Sequence, residues 1–393
     1  MTAPRLSRRA ALGLGAGLSV SCFGLGAEAA GVTDRKLVVI VLRGAMDGLS
    51  VTVPYADPDY AALRGEIAVP TATVQKLDAH FGLHPRLANL YAMTQAGQAR
   101  LAPAVAIPQR IRSHFEAQDL LESGADRLYG ATSGWLNRTL AALQAQRPAK
   151  ALSIGAQEPL ILRGAARAES WSPGGPMNAP STRVASILMD LYAGDALLGP
   201  ALTQGLATEA EANAMTMDGA ARRGSDPKAV AAAAARFLAD PQGPSMVVLS
   251  LDGFDTHANQ GSDKGQLANR LGVLDDTLGG LRDGLGERWK DTAVVAVTEF
   301  GRTACINGTK GTDHGTASTL ILAGGALKPG GLIGDWPGLS QGALFENRDL
   351  APTLDMRQVF KGLLIDHLGV DRRAVEASIF PDSARASAVR GLV

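Results

Sequence analysis

Five short segments of this chain are apolar at nearly every position, without the alternation that a half-exposed strand would show. They lie at residues 37–42, 101–108, 246–250, 292–298 and 318–323. Continuous apolar runs are typical of strands that are buried on both faces, as in a parallel sheet covered by helices. After the third run, leucines recur at helical spacing, at Leu267, Leu271, Leu274, Leu278, Leu281 and Leu285. The sequence therefore predicts an α/β fold with a doubly wound, mostly parallel sheet flanked by helices.

The first 29 residues have the features of an export signal. Arg8 and Arg9 form a twin-arginine pair before a glycine-rich apolar stretch, and residues 27–29 form a small-residue cleavage site. We therefore expect residues 1–29 to be removed, the twin-arginine export machinery to be a partner, and the mature protein to be periplasmic or secreted, with no stable membrane span. The alternatives are a membrane anchor, for which the apolar stretch is short, and lipidation at Cys22.

The composition provides enough apolar material for one large α/β domain or two smaller ones, with 46% hydrophobic residues in 393. We predict a single domain over residues 30–393, with a helical middle section near residues 165–240. Basic and acidic residues both total 38, so the chain has no basic field that would draw it onto nucleic acid. After cleavage only Cys305 remains, which excludes an internal disulfide.

Four polar loops each follow an apolar strand or precede a helix. They lie at residues 43–47, 112–119, 252–257 and 299–314, and they contain three of the six histidines. Because ligands of an open α/β sheet bind beyond the carboxyl ends of its strands, these loops are placed to form one site. Asp255 and His257 lie two residues apart in an irregular loop, where both side chains can turn to one divalent metal. The alternative is that the loops are ordinary turns whose aspartates form Asx turns.

The segment after Ser113 has the pattern of a helix. Glu116 follows Ser113 at the spacing of a capping box, and Phe115, Leu120 and Leu121 can face the core. The sequence therefore predicts that Ser113 lies at a helix N-terminus.

Six motifs of the chain occur in an order that resembles a known family. They are "VIVLRGAMDGL", "RSHFEAQDLLESG", "GFDTHANQ", "TEFGRT", "GTDHGT" and "FPDS". Together with the twin-arginine signal, they resemble the bacterial family catalogued as domain of unknown function 1501 over nearly the whole mature chain. That family is similar to the alkaline phosphatase and sulfatase superfamily, which implies an alkaline-phosphatase-like core. In that superfamily a first-strand aspartate, a nucleophile at a helix N-terminus and later Asp/His loops hold one or two metals.

The resemblance implies a set of ligands for a divalent metal, which would be zinc, calcium, magnesium or manganese. The positions that match the superfamily's ligands are Asp47 for the first-strand aspartate, Asp252 or Asp255 with His257 for the first Asp/His pair, Glu299 for a later aspartate, and His314 for the late histidine. Phe300 stands where the partner histidine of that later aspartate is expected. Asp313 and His314 replace that pair only if the intervening loop folds back.

The resemblance also implies a reaction on a phosphate or sulfate ester. Ser113 would take the nucleophile's place, where a metal and the helix N-terminus would stabilise its alkoxide. Arg43, Arg112 or Arg302 would bind the nonbridging oxygens of the substrate. Formylglycine chemistry is excluded, because neither cysteine is followed by x-P-x-R. The bland alternatives are a simple N-cap for Ser113 and a surface ion pair for Arg302.

Two functions therefore stay open. The first is an exported metal-dependent hydrolase that acts on a small-molecule or envelope ester. The second is a non-catalytic relative that kept the fold and binds an envelope ligand or partner in the crevice. Phe300 favours the second function, whereas Ser113, Asp255, His257 and His314 favour the first.

Overall fold

The computed structural model describes residues 34–155, 158–172, 188–189, 191–192, 195, 197–214 and 227–393. The predicted signal peptide, its cleavage site and Cys22 lie outside the described residues, as does part of the predicted helical section near 165–240. Among the helices of the described segments, none is both long enough and apolar enough to span a bilayer.

The described residues form eleven strands. These are β1 (Lys36–Leu42), β2 (Thr52–Val53), β3 (Gln75–Lys76), β4 (Gly82–Leu83), β5 (Ala99–Ala106), β6 (Ala151–Ile154), β7 (Glu169–Trp171), β8 (Met246–Leu251), β9 (Thr292–Val297), β10 (Ser318–Ala323) and β11 (Leu354–Asp355). Strands β2, β4 and β3 form a small antiparallel sheet. The other eight form the main sheet, in the order β11-β5-β10-β9-β1-β8-β6-β7.

Ten α-helices accompany these strands in the described residues. They are α1 (Gly48–Val51), α2 (Tyr60–Arg64), α3 (Ala88–Gln95), α4 (His114–Ser123), α5 (Trp135–Gln144), α6 (Leu198–Ala214), α7 (Pro227–Ala239), α8 (Gln266–Leu285), α9 (Met356–Gly362) and α10 (Arg372–Ala374). Helix α7 begins at Pro227, where the missing N–H costs no hydrogen bond. All six leucines of the predicted stripe in α8 are buried.

In the described residues, every strand of the main sheet except β10 runs in the same direction. Strand β1 pairs in parallel with β8 and β9, whereas β10 pairs antiparallel with β9 and β5. The carboxyl ends of β1, β8 and β9 therefore lie on one edge, together with the amino end of β10. The prediction of a mostly parallel sheet is confirmed, and three of the predicted apolar strands lie side by side in it.

Alternate residues of β1 contact opposite faces of the core. Val39 and Val41 belong to one apolar cluster, which helices α4, α5 and α9 complete. Val38 and Ile40 belong to a second cluster, on the side of α7 and α8. Burying each such side chain stabilises the fold by about 1.5–3 kcal/mol. Burial on both faces is the reason that this strand is apolar at successive positions.

Helix α4 begins directly after Ser113, as predicted, but its details differ from the prediction. The Ser113 side chain makes no capping hydrogen bond, so the predicted capping box is not formed. The apolar stripe runs through Ala117, Leu120 and Leu121, at positions i, i+3 and i+4. The prediction that Phe115 faces the core is wrong, because this side chain lies off the stripe and is 87% exposed.

Candidate metal centre

Three histidines and one aspartate converge at the edge where β1, β8 and β9 end. The Nε2 atom of His314 lies 3.0 Å from Nε2 of His114 and 3.0 Å from Nε2 of His257. The two Asp255 oxygens lie 3.0 Å from His257 Nε2, 3.3 Å from His314 Nε2 and 3.4 Å from His114 Nε2. Ligands of a tetrahedral zinc ion, with bonds of about 2.0–2.1 Å, lie about 3.3 Å apart. The ligand atoms of His114, Asp255 and His314 all lie within 4.8 Å of one another, so these three side chains could hold a metal ion, and His257 adjoins them through His314 and Asp255.

Each of the three rings has an acceptor beside its Nδ1 atom. The acceptors are Glu299 Oε1 for His114 at 2.8 Å, the Arg112 carbonyl for His314 at 2.8 Å, and Asp313 Oδ1 for His257 at 3.6 Å. With the hydrogen on Nδ1, each ring turns its Nε2 lone pair toward the other rings. Such lone pairs repel at 3.0 Å unless a proton or a metal ion lies between them.

Glu299 is a fully buried carboxylate that positions His114. Its Oε1 atom also accepts hydrogen bonds from the Gly44 N–H, at 3.0 Å, and from Gln118 Nε2, at 3.2 Å. Burial opposes the charge of this carboxylate, but the hydrogen bond with His114 holds the pKa of Glu299 below its ordinary value. The same hydrogen bond raises the pKa of His114. Glu299 thus orients His114 and is not itself one of the converging ligand atoms.

Arg302 is a buried side chain that orients Asp255. Its Nη1 donates to Asp255 Oδ1 at 2.5 Å, and its Nε donates to the Thr312 hydroxyl at 3.1 Å. Burial would raise the pKa of Asp255, but the Arg302 hydrogen bond and charge hold that pKa below its ordinary value. Asp255 is therefore anionic near neutral pH, as a metal ligand must be.

The loop between β9 and β10 folds back on itself. Arg302 and His314 form an antiparallel bridge, and the Gly301 N–H donates to the Thr316 carbonyl at 3.0 Å. A Cβ atom at Gly301 would lie 1.8 Å from the Ala317 carbonyl oxygen, so this close approach requires glycine. The return of the loop, together with the reversed direction of β10, brings His314 to the converging group.

Phe300 is buried against two of the histidines. Its ring centroid lies 5.0 Å from that of His114 and 5.0 Å from that of His314. These are packing distances, so Phe300 holds the two imidazole rings in place and offers no ligand atom. Burial also lowers the pKa of His314, which favours the neutral ring.

Asp47 lies outside the converging group, in a buried ion pair with Arg64. Its Oδ2 atom also accepts hydrogen bonds from Ser50 Oγ, at 2.8 Å, and from Gln260 Nε2, at 2.6 Å. Arg64 is fully buried and donates to the Thr303 carbonyl at 3.1 Å. A guanidinium, and not the histidine cluster, thus supplies the countercharge of Asp47.

The other two arginines that were predicted to bind the substrate also donate to carboxylates. Arg112 donates to the buried Asp349 through Nε, at 3.0 Å, and through Nη2, at 2.6 Å. Arg43 donates to Glu122 at 2.7 Å, and 23% of its side chain remains exposed. Arg112 therefore anchors the loop that carries its carbonyl to His314, and both side chains remain partly exposed, at 30% for Arg112 and 23% for Arg43.

The other predicted residues lie at the rim. Asp313 is exposed and accepts a hydrogen bond from Asn307 Nδ2 at 3.0 Å, which lowers the pKa of Asp313. Asp252 is exposed and lines a neighbouring cavity. Ser113 is half-buried directly before His114, with extended backbone at φ −103° and ψ 124°. Because its side chain does not cap α4, the Ser113 hydroxyl is not engaged by the helix.

His114 is the residue to which the sequence analysis gave no role. It is one of the three histidines in the polar loops, but the motif comparison assigns the neighbouring Ser113 instead. Its ligand atom lies within 4.8 Å of those of Asp255 and His314. The available signal was its position at the start of a helix that follows an apolar strand.

The chain resembles one known protein family along most of its length. Residues 34–379 match the model of the family described as "Protein of unknown function (DUF1501)". No curated protein matches this sequence.

Several solved structures match this chain at low identity. Ps i-CgsB in complex with a neocarrahexaose matches with a TM-score of 0.43 and 10% identity, over 90% of this chain and 77% of that one. The periplasmic domain of EcEptC from Escherichia coli matches with a TM-score of 0.39 and 11% identity, over 89% and 88%. An alkaline phosphatase superfamily protein from Vibrio parahaemolyticus matches with a TM-score of 0.40 and 13% identity, over 89% and 71%.

Proposed function

Because the chain belongs to the DUF1501 family, whose description names no reaction, we propose a function from the site itself. The protein is an exported, metal-dependent hydrolase of phosphate or sulfate esters that uses Ser113 as its nucleophile. The observation that carries this proposal is the convergence of ligand atoms from His114, Asp255 and His314, with the His257 Nε2 atom beside the last two.

The donor set fits a divalent ion. Three neutral imidazoles and one carboxylate are ligands that zinc prefers, and they suit manganese less well and calcium least. The residues that would hold the ion are His114, Asp255, His257 and His314. A bound divalent ion would supply Lewis acidity toward a phosphoryl or sulfuryl oxygen.

Ser113 is the nucleophile in this proposal. It precedes the first residue of α4, where the N–H groups and the helix dipole favour negative charge on its Oγ atom. In the reaction the Oγ–phosphorus or Oγ–sulfur bond forms as the ester bond breaks, and the proton of the Ser113 hydroxyl ends on the alcohol that leaves. Water then attacks the serine ester, which releases phosphate or sulfate and restores Ser113.

Arg43 is the arginine best suited to hold the nonbridging oxygens of the substrate. Arg302 is fully buried against Asp255, and Arg112 is held by Asp349. Arg43 follows β1 directly and lines the cavity beside α4, where its Nη1 and Nη2 donate to Gln118 and Glu122. We assign Arg302 and Arg112 to positioning Asp255 and His314.

Export through the twin-arginine route is part of the proposal. It rests on Arg8, Arg9 and the cleavage site at residues 27–29. That route would deliver the folded, metal-loaded protein to the periplasm or beyond, and the substrate would be a small-molecule or envelope ester. Replacing both arginines by lysine is expected to leave the precursor in the cytoplasm, as fractionation would detect.

A non-catalytic binding role is the second candidate. The observation that favours it is Phe300, which packs beside His114 and His314 and limits the number of ligand atoms in the group. In this role the metal would bind a ligand without turnover, and Ser113 would serve only as the residue before α4.

The test compares two variants of the exported protein. His257→Ala is expected to lose both bound metal, measured by elemental analysis, and hydrolysis of an aryl phosphate or aryl sulfate. Ser113→Ala is expected to keep the metal and lose turnover. His80→Ala, at an exposed histidine outside the site, is the matched control and should retain both properties. A wild-type protein that binds no metal refutes the proposal, and metal without turnover favours the second candidate.

A further inference from the structure

A cavity of about 670 Å³ lies beside the candidate metal centre. It is bounded by one face of α4 and by the carboxyl ends of β1, β6 and β8, which contribute Arg43, Ser153 and Ser250. Its volume is within the range of about 300–1,000 Å³ that is usual for small-molecule sites. The proposed hydrolase function assigns no ligand to this cavity.

Helix α4 connects the cavity to the metal centre. Phe115, Gln118, Asp119 and Glu122 line the cavity at positions i, i+3, i+4 and i+7, so they share one helical face. The first residue of the same helix is His114. Gln118 also bridges the two places directly, because it accepts a hydrogen bond from Arg43 at 2.8 Å and donates to Glu299 at 3.2 Å. A ligand in the cavity would therefore lie one helical turn from the converging histidines.

Two aromatic side chains stand exposed at the cavity. Phe115 is 87% exposed and Tyr129 is 70% exposed. Tyr129 has a positive φ of 53°, which is uncommon for an aromatic residue, and its N–H is held by Asp119 Oδ2 at 2.9 Å. The positive φ and the exposure of two aromatic rings both cost free energy, and neither improves the packing of the core. Exposed aromatic faces suit a ligand with a flat, weakly polar surface.

The polar lining offers both donors and acceptors. Asp252 has no hydrogen bond or ion pair among the described residues, whereas Glu122 is paired with Arg43. A second guanidinium, from Arg163, also lines the cavity. Carboxylates only accept hydrogen bonds when ionised, so the ligand must bring donors. With Asp119 and Glu158, four carboxylates face two guanidiniums in the cavity. This excess of carboxylates disfavours an anion, and their many acceptor oxygens suit a ligand that carries many hydroxyl donors.

We propose that this cavity binds a carbohydrate, which is the alcohol part of the ester that the metal centre hydrolyses. Sugar hydroxyls would donate to Asp252 and accept from Arg43, while the C–H face of the ring would stack on Phe115. The proposal rests on the proposed hydrolase function for its link to catalysis, but carbohydrate binding itself requires only the cavity.

The test measures binding without turnover, by saturation-transfer difference NMR. The probes are the methyl glycosides of glucose, galactose, mannose and N-acetylglucosamine, together with lactose and cellobiose. At least one probe is expected to give a signal with the wild-type protein, strongest for the hydrogens on one ring face. Phe115→Ala and Asp252→Asn are each expected to weaken binding about fivefold to tenfold. Leu191→Ala, at an exposed apolar residue that does not line the cavity, is the matched control.

The outcomes separate this proposal from the hydrolase proposal. Carbohydrate binding that persists in His257→Ala supports the cavity whether or not the hydrolase proposal holds. Hydrolysis of an aryl ester by a protein that binds none of the six probes refutes the carbohydrate site alone. Binding that is unchanged in Phe115→Ala, or binding of tetramethylammonium in place of the sugars, also overturns it.

Discussion

The Nε2 atoms of His114 and His314 lie 3.0 Å apart, although 200 residues separate the two histidines in the chain. Each ring is turned by an acceptor on its other nitrogen, which is Glu299 for His114 and the Arg112 carbonyl for His314. Neither acceptor faces the other rings. The surrounding protein therefore orients both Nε2 atoms through the hydrogen bonds of the opposite ring nitrogens.

Replacing Glu299 by glutamine is expected to weaken metal binding about 10-fold to 100-fold. The amide keeps the shape of the side chain but loses the charge that fixes the His114 tautomer. Isothermal titration calorimetry of the metal-free protein with zinc measures the change in zinc affinity. Glu287→Gln, at an exposed glutamate outside the site, is the control and should bind zinc as the wild type does. Equal affinities in all three proteins would mean that Glu299 does not position His114.

Replacing Gly44 by alanine is expected to disturb the metal centre and destabilise the fold by more than about 1 kcal/mol. Gly44 has a φ of 111°, and a Cβ atom there would lie 2.6 Å from the Asp255 nitrogen. The loop that carries Asp255 must therefore move. Gly308→Ala is the matched control, because no atom lies within 4 Å of its added Cβ. Urea denaturation checks stability, and a Gly44→Ala protein as stable as the control contradicts this account.

Breaking the Asp47–Arg64 pair is expected to cost about 3–5 kcal/mol of unfolding free energy, because a buried charge loses its partner. Arg64→Met tests this expectation, since it removes the guanidinium and keeps an apolar side chain. The double variant Asp47→Asn with Arg64→Met should recover part of the loss. Chemical denaturation of the wild type, of Asp47→Asn and Arg64→Met alone and of the double variant measures the coupling between the two residues. A double variant whose loss of stability equals or exceeds the sum of the two single losses would argue against a charge effect.

The structure also predicts a pH effect on stability through His367. Burial lowers the pKa of His367 to about 4, and its Nε2 lies 2.8 Å from the Lys36 carbonyl. The neutral ring is favoured in the folded state, so its contribution is complete above the unfolded value of 6.5 and is lost as the pH falls toward 4. The loss amounts to about 3 kcal/mol.

His367→Gln keeps an N–H donor for the Lys36 carbonyl but cannot gain this proton. Its unfolding free energy should therefore fall less steeply between pH 6.5 and about 4 than that of the wild type. His80→Gln, at an exposed histidine, should follow the wild-type profile. Parallel profiles for His367→Gln and the wild type would exclude His367 as the source of the effect.

The sheet could be predicted from the sequence because its signal is local. A strand that contacts apolar residues on both faces must itself be apolar at successive positions, and β1, β8 and β9 show this pattern directly. The reversed direction of β10 carries no such signal. Its apolar run, at Ser318–Ala323, has the same composition in either direction, and only pairing with β9 and β5 decides which way it runs.

The site was harder to predict, because its pairings are long-range. The polar loops pointed to Asp255, His257 and His314, since each follows or precedes an apolar strand. Nothing local reveals that Arg64 would be the partner of Asp47, or that His114 would lie beside His314. The prediction for Phe115 was wrong because apolar residues usually face the core, whereas this side chain lines a cavity.

The position of β1 at the centre of the sheet has a consequence for how the protein is made. Leu37 pairs with Met246 on one side and Ala293 on the other, so both partners are synthesised more than about 200 residues later. At about 5–20 residues per second, roughly 10–40 s pass before either neighbour exists. During that time the fully apolar segment Leu37–Leu42 has no partner strand in the main sheet. The central strand of the sheet therefore gains its first partner only when β8 has emerged from the ribosome.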